Sequence, residues 1–267
     1  MKNASNLHTF AVCAYKESEY LEACIRSLMN QKQRSRIILC TSTDSEFLRN
    51  MAKKYALPYY VKDGASDLAD DWNFAYSMAD TPYVTIAHQD DVYVPGYTER
   101  MIADLEADAD ALIWFCHYFE IRGGEDVYAD RNLDIKKTLL LPLKSRRRRG
   151  STFWKRRVLS MGNPICCPAV TYVKARLPER PFHSGMKSNV DWETWEAFTH
   201  ISGSFVYNEQ QLMGHRVHED STTTEIIRSN TRTLEDRAML DRFWPKPVAG
   251  LINHVYKNAE KSNQIEK

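Results

Sequence analysis

Tyr83-Val84-Thr85-Ile86-Ala87-His88-Gln89-Asp90-Asp91-Val92-Tyr93-Val94-Pro95 reads as a short buried strand that ends in two adjacent carboxylates, followed by an apolar turn and a proline. In open α/β sheets, ligands bind outside the carboxyl ends of the strands. A parallel strand here delivers Asp90 and Asp91 to that edge. Two carboxylates suit a hard divalent cation, which keeps some waters and takes its remaining oxygens from phosphates. The competing reading is local: Asp-Asp as cap and first-turn residues of the next helix.

Working outward, the first ~110 residues alternate strand and helix signals, the pattern of a parallel α/β sheet. His8 to Ala14 is a β-rich apolar run, and Ser18 reads as the cap of a helix with Leu21, Cys24, Ile25 and Leu28 at helical spacing. Arg36 to Thr41 is a second buried strand, and Asp44 reads as the cap of a helix to about Lys54. Pro58 to Val61 is a short strand, Asp67 to Ala79 a helix, Pro95-Gly96 the start of another, and Ala111 to Ile121 a further strand. After Gly124 the alternation stops. A basic loop, Arg146 to Arg149, precedes Phe153 and Trp154. Asp191 opens a helix with Trp192, Trp195 and Phe198, and Phe205 to Val217 reads as two short strands. The tail from Thr231 reads as helical.

Composition narrows the class. The chain has 267 residues, a formal net charge of +1 and 43% apolar residues, ordinary values for a globular protein. The balanced charge argues neither for nor against a nucleic-acid or membrane partner, and no nucleic-acid partner is expected. No apolar run approaches the ~18–20 residues of a membrane span. There is no signal-peptide pattern at the N-terminus. Of the six cysteines, Cys13, Cys24, Cys40 and Cys116 sit inside apolar patterns, while Cys166-Cys167 has no matching pair for a zinc site. A reduced, cytoplasmic setting is expected. A dinucleotide-dependent oxidoreductase and a P-loop enzyme are both disfavoured, because neither glycine-rich phosphate motif follows any strand.

The chain resembles the family 2 glycosyltransferases of the GT-A fold in five segments. They are Phe10 to Leu21, Ile37 to Asp44, Gln89 to Pro95, Asp191-Trp192-Glu193, and Arg216-Val217-His218 with Ser221-Thr222. The resemblance implies a Rossmann-like, mostly parallel sheet flanked by helices. It implies one domain over 1–225, with a nucleotide-sugar half at about 1–121, an acceptor half at 122–225, and a helical extension at 226–267. It implies metal-dependent transfer from a nucleoside diphosphate sugar, a UDP- or dTDP-sugar, to a glycan or lipid-linked hydroxyl. Donor binding falls to Ala14, Tyr15, Glu17, Thr41, Asp90 and Arg216, and Mn²⁺ or Mg²⁺ binding to Asp90, Asp91 and His218. Asp191 becomes the base of an inverting, one-step displacement, with Glu193 in reserve. Two departures stand out. Cys40-Thr41-Ser42-Thr43 replaces an acidic turn, removing a carboxylate that often reads the base, and His88-Gln89 stands where a further acid is common.

Each site residue also has a plainer reading. Tyr15 serves equally as a rim aromatic and Glu17 as a first-turn charge. Asp191 serves as a helix cap. His218 is structural, with His215 its competitor. Arg146 to Arg149 closes over the donor diphosphate, touches anionic lipid at a peripheral membrane contact, or is simply solvated. A non-catalytic nucleotide- or carbohydrate-binding protein on the same fold is the alternative to an enzyme.

Overall fold

Alternation of strand and helix signals becomes a nine-stranded sheet in the computed structural model, which describes residues 2–218 and 231–254. The elements run β1 (Lys2–Asn3), β2 (His8–Ala14), α1 (Leu21–Met29), β3 (Gln33–Arg34), β4 (Arg36–Thr41), α2 (Glu46–Lys54), β5 (Tyr59–Val61) and α3 (Leu68–Met78). Then come β6 (Tyr83–His88), β7 (Val92–Tyr93), α4 (Tyr97–Glu106), β8 (Ala111–Arg122), β9 (Glu125–Val127), α5 (Arg131–Leu140), α6 (Arg146–Arg149) and α7 (Thr152–Leu159). The last are β10 (Val170–Val173), α8 (Val190–Phe198), β11 (Ser204–Val217) and α9 (Thr231–Asp241).

The order across the sheet is β5-β4-β2-β6-β10-β8-β11-β7, with β9 pairing β8. The pairs β5–β4, β4–β2, β2–β6 and β8–β11 are parallel, while β10 lies antiparallel between β6 and β8. Hence β5, β4, β2, β6, β8 and β11 all point one way, and their carboxyl ends share one edge. β1 and β3 form a separate parallel pair.

Both faces of this sheet are buried, as parallel strands require. Phe10, Val12 and Ala14 of β2 face a core with Leu21, Cys24, Ile25 and Leu28 of α1 and Tyr97, Met101 and Leu105 of α4. Ala11 of the same strand faces the other core, with Trp72, Ala75 and Tyr76 of α3, Val158 of α7 and Trp192, Trp195 and Phe198 of α8. Alternate residues of a strand point to opposite faces, so one short apolar run serves two layers.

Several local expectations are corrected. Helix α1 starts at Leu21 rather than at Ser18, whose Oγ instead accepts from the Tyr20 amide at 3.2 Å. Ser45, not Asp44, caps α2 by accepting from the Leu48 amide at 3.2 Å. Asp44 accepts from Tyr59 Oη at 2.8 Å and pairs with Arg49. Phe205 to Val217 lies within one strand, β11, because register shifts between Asn208 and Met213 absorb the irregular middle without ending the pairing with β8. Residues 125–145 carry no element in the sequence reading yet contain β9 and α5. Helix α5 buries only Leu133 and Leu140, so it shows no apolar stripe.

The basic segment is helical, and two of its arginines are anchored. Arg149 pairs with Asp108 at 2.7 Å, and Arg146 Nη2 donates to the Ala107 carbonyl at 3.0 Å. Asp108 precedes β8, so these groups lie at the sheet edge opposite the carboxyl ends. That placement rules out a clamp over a ligand at Asp90 and Asp91. No helix among the described residues is long and apolar enough to cross a membrane.

Candidate active site

Asp90 and Asp91 follow β6 after Gln89 and meet the end of β11 across the carboxyl edge. The Asp91 side chain is fully buried. Asp91 Oδ1 accepts from His215 Nδ1 at 3.0 Å and from the Arg216 amide at 2.9 Å. Asp90 Oδ2 lies 3.0 Å from His218 Nε2, and the Asp90 carbonyl accepts from Arg216 Nε at 3.0 Å. Arg216 in turn lies over the Tyr20 ring at 4.4 Å, and the Tyr20 and His218 rings are 5.1 Å apart. The residues named from sequence, Asp90, Asp91, Arg216 and His218, therefore form one network. Tyr20, at the start of α1, is a member that sequence reasoning missed.

Burial opposes ionisation of Asp90, but His88, the His218 bond and His215 outweigh it and hold its carboxyl below its usual range. For His215 burial opposes protonation, while Asp91 and Asp90 overcome it and raise the imidazole. His88 is driven the other way: burial lowers it, with Asp91 and Asp90 in partial opposition.

The residues fit a divalent cation. One ligand atom each from His88, Asp90 and Asp91 lies within 4.8 Å of the others. His88 Nε2 and Asp91 Oδ2 are buried and have no hydrogen-bond partner among the described residues. Buried polar atoms without partners are costly, so a pair of them beside a second carboxylate is a strong sign of a ligand site. His88 was noted in the sequence only as a departure from an acidic pattern. Its ring stacks on Trp72 at 5.4 Å, which fixes the imidazole plane. Gln89, the other departure, ties β6 to β2: its amide donates to the Tyr15 carbonyl at 2.8 Å and accepts from the Tyr15 amide at 3.3 Å.

Of the remaining donor-side residues, Ala14 is buried at the end of β2, whereas Tyr15 is 49% exposed. Glu17 is also exposed. Lys16 has a left-handed backbone (φ 57°), and its amide donates to Thr43 Oγ1 at 2.5 Å. A non-glycine residue in that region is uncommon, and here the Thr43 hydroxyl holds the turn that follows β2. Thr41 is buried, and its Oγ1 accepts from the Thr43 amide at 2.9 Å. That hydroxyl closes its own turn.

Asp191 lies on α8. It is the second residue of α8, inside the first turn, and Asn189 is the cap residue. The capping explanation for Asp191 therefore does not hold. Oδ2 accepts from Asn163 Nδ2 at 2.6 Å and Oδ1 from the Trp192 amide at 2.7 Å. Burial raises its carboxyl to about 6, against the opposing pull of those bonds and of Arg232 and Lys136. Asp91 and Asp191 both act on the thiols of half-buried Cys166 and buried Cys167, which burial also raises. Lys136, on the unread helix α5, lies 2.5 Å from Tyr118 Oη. Glu193 pairs with Arg242.

The start of α8 is held from outside. Glu235 of α9 accepts from the amides of Lys187 and Ser188 at 2.8 Å each and of Asn189 at 3.2 Å. Asn189 Nδ2 also donates to Asp236 Oδ1 at 2.7 Å. Segment 219–230, with Ser221 and Thr222 of the fifth resembling stretch, lies outside the described residues.

The profile of the family described as "Glycosyl transferase family 2" matches residues 9–176. The chain belongs to this family. No curated protein matches it in sequence. Among solved structures, S. aureus TarS 1–349 in complex with UDP-GlcNAc is similar with TM-score 0.59 and 13% identity, covering 98% of this chain and 73% of that one. The mannosyltransferase PcManGT from Pyrobaculum calidifontis, with GDP-Man and Mn²⁺, has TM-score 0.63 and 14% identity, covering 93% and 68%. Glucosyl-3-phosphoglycerate synthase from Mycobacterium tuberculosis, with Mn²⁺ and UDP-Glc, has TM-score 0.60 and 13% identity, covering 90% and 80%. At these identities the likeness is one of fold. It agrees with the GT-A architecture, and the family assignment makes the chain a glycosyltransferase.

Proposed function

We propose that this glycosyltransferase moves a sugar from a nucleoside diphosphate sugar to an acceptor hydroxyl with inversion, using Asp191 as general base. The observation that carries this reading is the His88, Asp90 and Asp91 cluster at the carboxyl end of β6, where two buried polar atoms have no hydrogen-bond partner among the described residues. Asp90 is held charged beside Asp91 and His88, while Asp191 is pushed up to about 6. A base works best when its pKa lies near the working pH, and the raised carboxyl of half-buried Asp191 meets that condition. Asn163 and the Trp192 amide hold the carboxylate in place for proton acceptance.

Asp90, Asp91 and His88 would hold the divalent cation, with His218 bonded to Asp90. When bound, it offsets negative charge on the departing diphosphate. A mixed imidazole–carboxylate set favours Mn²⁺ over Mg²⁺, because magnesium prefers oxygen ligands alone. Arg216, fixed over Tyr20, supplies a guanidinium for phosphate oxygens. Tyr15 offers an exposed ring for the base. The bound donors of the structural neighbours, UDP-GlcNAc, GDP-Man and UDP-Glc, support a nucleotide-sugar donor, and a UDP- or dTDP-sugar is the expected class. The acceptor is a glycan or lipid-linked hydroxyl.

The test is titration calorimetry of UDP with Mn²⁺ and with chelator, followed by hydrolysis of a panel of nucleoside diphosphate sugars. Cation-dependent UDP binding and slow donor hydrolysis are expected. Equal affinity with cation and chelator would remove the metal reading, and absence of hydrolysis or transfer with every donor would leave a binding protein.

A further inference from the structure

The end of β4 lacks a carboxylate of its own, but the fold brings one to it from a helix. Asp71, in the first turn of α3, accepts from Ser42 Oγ at 3.0 Å through Oδ2 and from Ser66 Oγ through Oδ1. Ser42 directly follows Thr41, the last residue of β4. Asp71 also acts on the thiol of Cys13, the penultimate residue of β2, which burial raises. This carboxylate therefore stands over the ends of β2 and β4, on the edge where Tyr15 presents its ring. Asp71 is only partly buried, and two serine hydroxyls leave lone pairs unused on a group with about four acceptor positions.

A flat base stacked on Tyr15 would turn its hydrogen-bonding edge toward the end of β4. The groups there differ in what they offer. Thr41 Oγ1 is occupied by the Thr43 amide, and Thr43 Oγ1 by the Lys16 amide. Ser42 spends its proton on Asp71. The strongest acceptor left is the Asp71 carboxylate, which carries no proton to donate when ionised.

We infer that Asp71 is the residue that selects the donor's base, accepting the ring N–H of an imide-type base. Uracil, thymine and guanine carry such an N–H. Cytosine presents a bare ring nitrogen at the same position, which an ionised carboxylate repels, and adenine likewise lacks the ring N–H. The pairing ignores the C5 methyl, so uridine and thymidine diphosphates bind alike. This inference rests on the donor reading above and adds its base specificity.

The test measures binding of UDP, CDP and 3-methyl-UDP, with inorganic pyrophosphate as a base-free probe, all with Mn²⁺, to the wild-type chain and to Asp71→Asn. A hydrogen bond to a charged group predicts roughly 10–100-fold tighter binding of UDP than of CDP or 3-methyl-UDP to the wild-type chain. In Asp71→Asn that ratio should fall to within about threefold, with pyrophosphate affinity unchanged, which also reports an intact fold. A purely structural Asp71 would move all four affinities together. A UDP:CDP ratio unchanged in Asp71→Asn, with pyrophosphate still bound, overturns the role of Asp71 alone. Failure of the wild-type chain to bind either UDP or pyrophosphate overturns the donor reading and this inference with it.

Discussion

Beside the histidines after β6 the Asp90 carboxyl is held below its usual range, and at the start of α8 the Asp191 carboxyl is raised to about 6. Both side chains are half-buried and burial pushes both carboxyls up, so burial alone does not explain the difference. Asp90 has three histidines acting on it, with His218 at 3.0 Å. Asp191 has one side-chain amide and one backbone amide as close partners, with Lys136 and Arg232 acting more weakly than burial. Titratable groups whose environments push their pKa values apart mark a division of labour. A cation ligand must stay ionised, whereas a base needs affinity for a proton.

The sharpest way to break this comparison is Asp191→Asn. Turnover should fall by roughly 10²–10⁴-fold, the contribution of a positioned general base. The same change should stabilise the protein. An acid raised in the folded state binds more protons folded than unfolded between pH about 4 and about 6, so stability falls as pH rises through that window. Removing the charge should recover on the order of 1–3 kcal/mol at pH 7. Urea denaturation of both proteins at pH 4 and pH 7 checks this: the stability difference should grow with pH. In the wild-type chain, kcat/KM should rise with pH with a midpoint near 6. Normal turnover in Asp191→Asn would end its role and, with Glu193 already paired to Arg242, leave the acceptor side without a base.

The donor side is tested by Asp91→Asn. Asn keeps an oxygen for His215 and the Arg216 amide but loses the second, unpartnered carboxylate oxygen. Mn²⁺-dependent UDP affinity should drop by at least the roughly 10–100-fold that losing a metal ligand's orienting partner costs. Chelator-treated protein should bind UDP alike in both forms. Calorimetry showing an undiminished manganese response would place the cation elsewhere.

The two sides also differ in how far the sequence exposes them. The donor edge is built from strand ends, so Ala14, Tyr15, Thr41, Asp90 and Asp91 lie at positions that strand periodicity locates. Asp191 was found only by likeness to a motif, and its position inside α8 rather than at its cap was not legible. Apolar patterning says nothing about which helix residue faces a cleft. Lys136 escaped because α5 buries only two side chains. His88 escaped because a lone histidine ending a strand gives no cue to the Trp72 ring behind it or the carboxylate beside it. Contacts between segments far apart in sequence, such as Glu235 with the start of α8, leave no local trace at all.

Glu235→Ala tests whether that remote contact serves the base. It frees the amides of Lys187, Ser188 and Asn189 ahead of α8. Turnover should fall by up to about tenfold, since small misplacements of a catalytic group are expensive, while UDP affinity stays put. A fall in UDP affinity as large as that in turnover would show that the two sides of the cleft are not separable.

The smallest effect expected is at Ser45, in the donor half but away from the edge. Its Oγ accepts from the Leu48 amide and satisfies one orphan donor of α2. Ser45→Ala should cost about 1 kcal/mol, the usual penalty for losing an N-cap. Asp44→Ala should cost less, because Asp44 caps nothing and its partners Arg49 and Tyr59 are reached at the surface. Neither change should alter turnover or manganese-dependent UDP binding, because Ser45 serves the first turn of α2 and Asp44 serves Arg49 and Tyr59. Urea midpoints of the two variants with an unchanged m-value give the ranking. A larger loss at Asp44 would return the cap to the residue that the sequence favoured. An unfolding transition that splits in two in Ser45→Ala would show that the donor half folds apart from the acceptor half. A single transition with activity intact would show that the two acid environments share one cooperative framework while remaining chemically independent.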